Sequence, residues 1–195
     1  NRAAKRARGE FLLFLNDDTV ISDHCLDKCL SELKNNTKIG VLGCKINNPD
    51  NSIQPSVRSF PSFYNQLIIL SKLHNFFPKL IKKYTCSNFD YSLSQDVDQV
   101  MGAFFLMPKG VFEKLNGFDE GFFIWFEEVD MCRRVHDIGL IVRYFADASI
   151  IHHGGASFCQ KRPLNLQKLF NKSLRMYFRK HHNFVFWLLI SIATY

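Results

Sequence analysis

The sequence predicts an α/β fold with a mixed, mainly parallel sheet flanked by helices. Apolar runs of strand length alternate along the chain with stretches whose apolar residues recur at helical spacing, which is the pattern of layered α/β proteins. The chain has 195 residues, of which 47% are hydrophobic and 22% are charged, so a domain with a substantial core can form. The sequence contains no internal repeat and no low-complexity tract.

The first half of the chain alternates between buried strands and a helix. Residues 11–15 are all apolar, which predicts a strand buried on both faces. Ser22 or Asp23 is placed to cap a helix, and the apolar face of that helix holds Leu26, Cys29, Leu30 and Leu33. Residues 39–46 predict the next strand, which the turn-rich sequence NNPDNS closes.

The alternation resumes after an insertion. Residues 65–83 predict an amphipathic insertion that is broken at Pro78. Residues 97–107 predict a strand, and Pro108 then suits the first turn of a short helix that ends near Asn116. The remaining predicted elements are a helix over 127–138, which stops at Gly139, and a strand over 140–145.

Polar residues follow directly at the end of the first predicted strand: Asn16, Asp17 and Asp18. Adjacent carboxylates at a strand end repel each other unless a cation lies beside them. In open α/β sheets, ligands bind at the carboxyl ends of strands. Asn and Asp are also common turn residues, and by themselves these three residues favour a polar turn over a metal site.

A second group of acids follows a run of aromatic residues in the segment FDEGFFIWFEEVDMCRR. Its acidic members are Asp119, Glu120, Glu127, Glu128 and Asp130. Glu127 and Glu128 open the predicted helix, where the helix dipole favours an ionised carboxylate that can accept a proton. The ordinary preference for acids at helix N-termini explains one of these glutamates equally well. The adjoining aromatic residues favour a cleft that binds a sugar or another ring.

Two histidines end a further apolar run, in the segment ASIIHHGGAS. His152 and His153 precede two glycines, where the backbone can approach a ligand closely. A neutral imidazole is a good ligand for a transition ion such as Mn²⁺. A lone histidine at a strand end is more often structural. Here two separate groups of acidic residues accompany it, and this favours a role as a metal ligand.

The net charge of +7 belongs to the carboxyl-terminal tail, because the first 147 residues contain as many acidic as basic residues. No acidic residue follows Asp147, and the basic residues after it are Lys161, Arg162, Lys168, Lys172, Arg175, Arg179 and Lys180. This asymmetry predicts that residues 161–195 face an anionic surface. Confinement of the charge to one helix argues against nucleic acid as the partner.

The same tail carries apolar residues at helical spacing, and the apolar sequence FVFWLLISIATY follows them. The spaced residues are Leu166, Leu169, Phe170, Leu174, Tyr177 and Phe178. Residues 184–195 alone are too short to span a bilayer, which takes about 20 apolar residues. The tail is therefore an interfacial anchor, the opening of a longer span, or a helix packed on the domain with its Lys and Arg residues solvated.

Four segments, taken in order, resemble the family 2 inverting glycosyltransferases of GT-A fold, and their bacterial rhamnosyltransferase-like members in particular. The segments are GEFLLFLNDD, SIQPSVRSFPS, VMGAFFLMPKGVFEKLNGFDEGFFIWFEEVDMCRRVHDIG and ASIIHHGGAS. The resemblance is most specific over residues 117–133. It implies a Rossmann-like sheet that is incomplete at the amino terminus, because the strands that hold most of the family's nucleotide pocket are absent here. Residues 1–160 would be the carboxyl-terminal part of the catalytic domain, and expressed alone the sequence is expected to be poorly folded and inactive.

The resemblance implies a divalent cation, Mn²⁺ or Mg²⁺, that bridges the strand-end acids to a nucleotide-sugar diphosphate. The family's metal motif is often Asp-x-Asp, and its first position is Asn16 here, so Asp18 is the expected ligand. Asp17 would contact the donor. His152, rather than His153, matches the family position and would complete the metal shell.

The resemblance also implies a carboxylate base that accepts the proton of the acceptor hydroxyl. Glu128 is the expected base and Glu127 the alternative, in a Glu-Glu pair that replaces the commoner Glu-Asp pair. The expected acceptor-binding residues are Trp125, Asp119, Glu120, Asp130 and Arg133.

The implied partners are a nucleotide-sugar donor, with rhamnose as a candidate sugar, and a saccharide or lipid-linked acceptor in cell-surface polysaccharide synthesis. The six cysteines form no CxxC pair, which fits a reducing compartment. A membrane-bound tail would hold the active site near a lipid-linked acceptor, which fits a role at the cytoplasmic face of the cell membrane. Two other functions fit the same residues. One is a metal-dependent phosphoesterase or nucleotide hydrolase, and the other is a non-catalytic membrane-binding module.

Overall fold

The structure is a computed structural model that describes residues 1–154 and 163–195. Two of the tail's basic residues, Lys161 and Arg162, therefore lie outside the described residues. The described strands are β1 (Phe11–Leu15), β2 (Thr19–Ile21), β3 (Ile39–Asn47), β4 (Val57–Arg58), β5 (Gln95–Val97), β6 (Gln99–Val100), β7 (Phe104–Pro108) and β8 (Ile141–His152).

Helices separate these strands and cover the sheet. The described α-helices are α1 (Arg2–Arg6), α2 (Cys25–Asn35), α3 (Phe63–Leu70), α4 (Lys82–Thr85), α5 (Lys109–Lys114), α6 (Glu127–Asp137), α7 (Pro163–His181) and α8 (Phe184–Ala193). Two 3₁₀ turns, Leu73–Asn75 and Pro78–Ile81, link α3 to α4, so the predicted insertion is helical and is broken at Pro78.

The central sheet is mixed and has the order β1-β7-β3-β8-β2, with β5 pairing with another stretch of β8. Strands β4 and β6 form a separate two-stranded sheet. Among the described strands, only the β3–β8 pairing is parallel, so the described sheet is less parallel than the sequence predicts. An apolar run shows that a strand is buried on both faces, but it carries no information on strand direction.

Each face of the sheet is covered by one of the long amphipathic helices. In β7, Phe105 and Met107 join the core beneath α6, whereas Phe104 and Leu106 join the core beneath α2. Successive side chains of a strand point to opposite faces, so a strand between two helical layers must be apolar at every position. This explains the continuous apolar runs of β1, β3 and β7.

Two predicted details differ from the structure. Helix α2 begins after His24, which has left-handed backbone (φ 57°), so neither Ser22 nor Asp23 caps it. The predicted strand over 97–107 is divided, because β6 pairs with β4 in the separate sheet and the chain returns to the central sheet only at β7. The three residues of that interruption, 101–103, lie against the main cleft.

The apolar stripe of α7 packs on the rest of the protein. Leu174, Tyr177 and Phe178 are fully buried in a cluster with Phe126 and Val129 from the start of α6. The packed-helix interpretation of the tail therefore holds for this stripe. No helix within the described residues is both long and apolar enough to cross a membrane.

Candidate active site

A cleft of about 700 Å³ opens at the carboxyl end of β1, where the sequence places its first acids. Its walls come from the β1–β2 turn, from β4 and the β6–β7 connection, from the start of α6 and from α7. The lining side chains on which the site depends are Asn16, Asp17, Arg58, Tyr84, Trp125, Glu127, Glu128, His152 and Phe170. The cleft therefore brings together residues from each of the four segments that resemble the family.

Strand pairing brings Asp18 and His152 together. Thr19 is the register partner of His152 in the antiparallel β2–β8 ladder, and the amide of His153 donates to the Asp18 carbonyl at 2.9 Å. As a result His152 Nε2 lies 3.2 Å from Asp18 Oδ1 and 3.3 Å from Asn16 Nδ2. The His153 side chain is exposed, whereas that of His152 is buried.

The hydrogen bonds around His152 fix which ring nitrogen carries the proton. Gln54 Nε2 donates to Asn48 Oδ1 at 3.0 Å, which turns Gln54 Oε1 toward the imidazole. That oxygen can only accept, so His152 Nδ1 donates to it at 2.7 Å. In the neutral ring, Nε2 then directs a lone pair at the carboxylate of Asp18.

In this neutral form Nε2 faces Asn16 Nδ2 as well as the Asp18 carboxylate, and a cation beside Nε2 and Asp18 would bind both; a protonated ring would instead form an ion pair with Asp18 directly. His152 Nε2 and the Asp18 carboxylate could supply two of the ligands of Mn²⁺, and the hydrogen bond from Nδ1 to Gln54 leaves Nε2 of the neutral ring free to bind the ion. The described residues include no group of three or more His, Cys, Asp or Glu side chains that could hold a metal ion. Asp18 and His152 therefore fit an ion that takes its remaining ligands from substrate and water, as Mg²⁺ and Mn²⁺ commonly do beside phosphates.

The two glutamates lie at the first turn of α6, after two strained residues. Trp125 and Phe126 both have left-handed backbone, with φ of 59° and 68°. Residues other than glycine adopt this backbone conformation at a cost of about 1 kcal/mol or more. Such residues concentrate at functional sites. At this point of the chain, the side chains of Trp125, Glu127 and Glu128 line the cleft.

Burial makes Glu128 a weak acid. Desolvation, and next to it the charge of Glu127, raises the pKa of Glu128 to about 7, although the Arg58 guanidinium lowers it in part. Burial also raises the pKa of Glu127. The Oε2 atoms of both side chains are buried and have no hydrogen-bond partner among the described residues. A carboxylate that titrates near neutrality in a cleft can accept a proton from a bound hydroxyl.

Sequence reasoning missed three residues of this region: Gln54, Arg58 and Tyr84. The guanidinium carbon of Arg58 lies 5.8 Å from the centre of the Tyr84 ring, and both side chains line the cleft. Gln54 and Arg58 both belong to SIQPSVRSFPS, a segment that resembles the family although its sequence shows no helical or strand periodicity. That signal could have identified them, whereas no local pattern marks Tyr84.

Four of the residues expected to bind the acceptor do not line the cleft. Glu120 accepts from Asn1 Nδ2 at 2.8 Å, and Arg133 pairs with Asp137 at 3.4 Å. Asp119 accepts from Lys180 at 2.7 Å. Of the expected set, Trp125 is the member that the structure places in the cleft.

The fourth residue, Asp130, is fully buried on the side of α6 that faces α7. It accepts from Arg134 at 2.8 Å, from Lys180 at 2.8 Å and from His181 at 2.7 Å. Two residues along a helix correspond to a rotation of about 200°, so Asp130 and Glu128 point in nearly opposite directions. Helical spacing alone could have separated the two acids.

We expect Asp130 to anchor α7 and stabilise the fold. Burial by itself would raise the pKa of Asp130, but the hydrogen bonds from His181 and Lys180 and the charge of Arg134 outweigh it and lower that pKa. Asp130→Asn in the full-length gene product should reduce the free energy of unfolding by about 3 kcal/mol in urea titrations at pH 7, because a neutral amide at this buried position no longer offsets the charges of Arg134 and Lys180. The wild-type contribution is present above the unfolded-state pKa and is lost as pH falls through the lower folded-state value.

The matched control for this change is Asp137→Asn, which breaks the exposed ion pair with Arg133 on the same helix. Exposed pairs contribute at most about 1 kcal/mol, so this variant should unfold close to wild type. An equal loss of unfolding free energy in the two variants would contradict an anchoring role for Asp130.

Comparison with known proteins identifies the family. A family model described as glycosyltransferase like family 2 matches residues 1–182. The O-antigen biosynthesis protein RfbC of Myxococcus xanthus is 32% identical over 161 residues, which are 80% of this chain and 12% of the relative. An N-acetylglucosaminyl-diphospho-decaprenol L-rhamnosyltransferase of Mycobacterium tuberculosis is 27% identical over 74% of this chain and 47% of its own length.

Two further similarities agree with these. The rhamnosyltransferase WbbL of Escherichia coli is 27% identical over 80% of this chain and 58% of its own length, so the chain spans only part of each of these relatives. The crystal structure of GalNAc-T7 with UDP, GalNAc and Mn²⁺ matches 90% of this chain with a TM-score of 0.56 and 11% identity. That similarity concerns the fold, and it confirms the predicted GT-A-type α/β architecture. The matched family model, spanning residues 1–182, confirms the resemblance seen in the sequence: the chain belongs to the family 2 glycosyltransferase-like proteins.

Proposed function

We propose that this chain carries the base and metal-binding part of an inverting glycosyltransferase. The enzyme would move a sugar from a nucleotide-diphosphate donor to a saccharide or lipid-linked acceptor in cell-surface polysaccharide synthesis. One observation carries the proposal: a buried carboxyl, Glu128, has its pKa raised to about 7 and opens onto the cleft that His152 also lines. Rhamnose as the transferred sugar is supported by the names of the relatives from M. tuberculosis and E. coli.

In the proposed reaction Glu128 accepts the proton of the acceptor hydroxyl. The hydroxyl oxygen then forms its bond to the anomeric carbon as the bond from that carbon to the diphosphate breaks, which inverts the configuration. A divalent cation held by Asp18 and His152 would offset the charge that develops on the departing nucleoside diphosphate. Asn16 and Asp17, on the same rim, would contact the donor.

The opposite wall of the cleft suits the acceptor. Trp125 offers an aromatic face for a sugar ring, next to the base. Arg58 presents a planar guanidinium that matches phosphate oxygens. The relative from M. tuberculosis is named for an acceptor that joins a sugar, a diphosphate and a lipid. We therefore propose that Arg58 contacts an acceptor diphosphate.

We also propose an anionic membrane as a partner of the tail over residues 161–195, at the cytoplasmic face of the cell membrane. Lys168, Lys172 and Arg179 are exposed on α7 and are available to lipid phosphates. The buried stripe of α7 is not available to lipid, so the contribution of α7 itself is electrostatic.

Incubating the full-length gene product with sugar nucleotides, Mn²⁺ and a lipid-linked saccharide acceptor tests the proposal. We expect sugar transfer that depends on the acceptor, with nucleoside diphosphate released in equal amount. Release of the nucleotide without any dependence on the acceptor would instead indicate a phosphoesterase or nucleotide hydrolase. Absence of turnover with every sugar nucleotide, together with lipid binding, would indicate a non-catalytic membrane module.

A further inference from the structure

Two segments far apart in the sequence lack acidic residues altogether. No Asp or Glu occurs between Asp50 and Asp90, and none follows Asp147. The first segment nevertheless contains five cationic residues: Arg58, Lys72, Lys79, Lys82 and Lys83. In a chain with 18 acidic residues, two such long gaps concentrate positive charge on whatever surface these segments form.

The two segments pack against each other in the structure. The rings of Phe63 on α3 and Phe186 on α8 are stacked with centroids 4.7 Å apart and planes inclined by 6°. His182, between α7 and α8, donates from Nε2 to the carbonyl of Pro61 at 3.1 Å. The separate stretches of positive charge therefore belong to a single region of the protein.

This region exposes large apolar side chains from both segments. On α8, Val185, Leu188, Leu189 and Ile192 recur at the spacing of one helix face and are exposed, while Ile190 on the other face is buried. In the insertion the exposed residues are Leu67, Leu73, Phe76, Phe77 and Leu80. We call these nine residues the apolar surface. Its most exposed member, Phe76, keeps 78% of its area accessible.

We infer that the apolar surface binds in the plane of an anionic bilayer, with the insertion and α8 lying at the boundary between headgroups and acyl chains. Apolar side chains flanked by lysines are the pattern of interfacial membrane binding. Lys72, Lys79, Lys82 and Lys83 are all exposed beside Phe76, Phe77 and Leu80 in the sequence. A second copy of the chain would bring these like charges together, whereas anionic lipid neutralises them.

The surface is joined to the cleft by its own segments. Arg58 and Tyr84, which flank the insertion, line one wall of the cleft, and Phe170 of α7 lines another. A bilayer bound at the apolar surface would therefore lie next to the cleft, within reach of an acceptor that is anchored by a lipid. This inference extends the proposed function from the tail to the insertion.

Vesicle co-sedimentation of the full-length gene product, without any sugar nucleotide, tests the inference. We expect binding to vesicles that contain phosphatidylglycerol, weaker binding in high salt, and little binding to pure phosphatidylcholine. The double change Phe76→Ser and Phe77→Ser should weaken binding at least about 10-fold. Replacing the four lysines by Gln should weaken it by about 600-fold, since each lysine contributes roughly a factor of five near an anionic surface.

Two matched controls lie on α2, which covers the opposite face of the sheet. Leu26→Ser removes an exposed leucine and Lys34→Gln removes an exposed lysine, and both should bind vesicles like wild type. Thermal melts of all variants check that the fold is intact. Wild-type binding by the Phe76/Phe77 double variant would overturn the inference, and so would recovery of the wild type in the supernatant with both lipids.

Two further readouts separate this inference from the proposed reaction and from self-association. Transfer to a water-soluble acceptor analogue should be unchanged in the Phe76/Phe77 double variant, so loss of vesicle binding with retained transfer supports the inference. Wild-type transfer without vesicle binding would overturn the inference alone. Concentration-dependent dimers that the double variant abolishes, without lipid binding, would assign the surface to a second copy instead.

Discussion

Replacing Glu128 with glutamine is expected to lower kcat for sugar transfer by about 10²–10⁴-fold, the usual cost of removing a general base. Glutamine has nearly the same shape as glutamate and cannot accept a proton at neutral pH. Donor affinity should change little, because the proposed donor contacts lie at the β1 end of the cleft. Single-turnover transfer assays, combined with calorimetric titration of the nucleoside diphosphate, measure the two quantities separately.

The same substitution should stabilise the fold at alkaline pH. The folded-state pKa of Glu128, about 7, lies above the ordinary value of 4.5, so the folded protein favours the protonated carboxyl. The contribution of Glu128 to stability is therefore fully present below pH 4.5 and is lost as pH rises through about 7. An uncharged glutamine avoids that loss, and Glu128→Gln should gain roughly 1–3 kcal/mol at pH 8 in urea titrations. A variant that is inactive and yet more stable cannot owe its inactivity to unfolding.

Glu127→Gln is the matched control for the base. Glu127 is one position away, and burial also raises its pKa. We nevertheless expect the Glu127→Gln variant to retain most of the transfer activity. If Glu127→Gln is the inactive variant and Glu128→Gln is active, the base is Glu127. In the wild type, kcat/KM should fall as pH drops below about 7, because the base then becomes protonated.

Sequence patterns predicted the parts of the site that a single element determines. The end of β1 was found because an apolar run stops at polar residues, and the start of α6 because two acidic residues open a segment of helical length that Gly139 ends. Because ligands of α/β sheets bind at strand ends, Asp18 and His152 could be expected at one site. The register that brings His152 Nε2 to 3.2 Å from Asp18 depends on pairing between strands more than 100 residues apart, which no local pattern specifies.

The rest of the site depends on packing between elements. Arg58 and Tyr84 reach the cleft because the insertion folds back beside α6, and nothing in their immediate sequence predicts that position. The spacing of the apolar residues of α7 fits a membrane-bound helix and a helix packed on the domain equally well. Its partner, the aromatic start of α6, decides between the two by burying Leu174, Tyr177 and Phe178.

The second large effect concerns the metal. Asp18→Asn in the full-length gene product should weaken Mn²⁺ binding by at least about 10-fold and abolish metal-dependent transfer, because an amide is a much poorer ligand than a carboxylate. His152→Ala should weaken Mn²⁺ binding similarly. Electron paramagnetic resonance titration of Mn²⁺, with and without a nucleoside diphosphate, measures the affinity independently of activity. The control Asp23→Asn changes an exposed acid five residues after Asp18 and should leave the Mn²⁺ affinity unchanged.

Gln54 gives the sharpest form of this test, because it would act on the ion only through the imidazole. Its Oε1 accepts from His152 Nδ1 at 2.7 Å and thereby keeps the Nε2 lone pair directed at Asp18. Gln54→Leu removes that acceptor, and loss of such a supporting hydrogen bond typically costs about 10–100-fold in metal affinity. His153→Ala removes the neighbouring, exposed histidine and should bind Mn²⁺ like wild type. If Asp18→Asn and Gln54→Leu both keep wild-type Mn²⁺ affinity while their melting temperatures fall, the Asp18–His152 pair is a structural contact and the ion binds elsewhere.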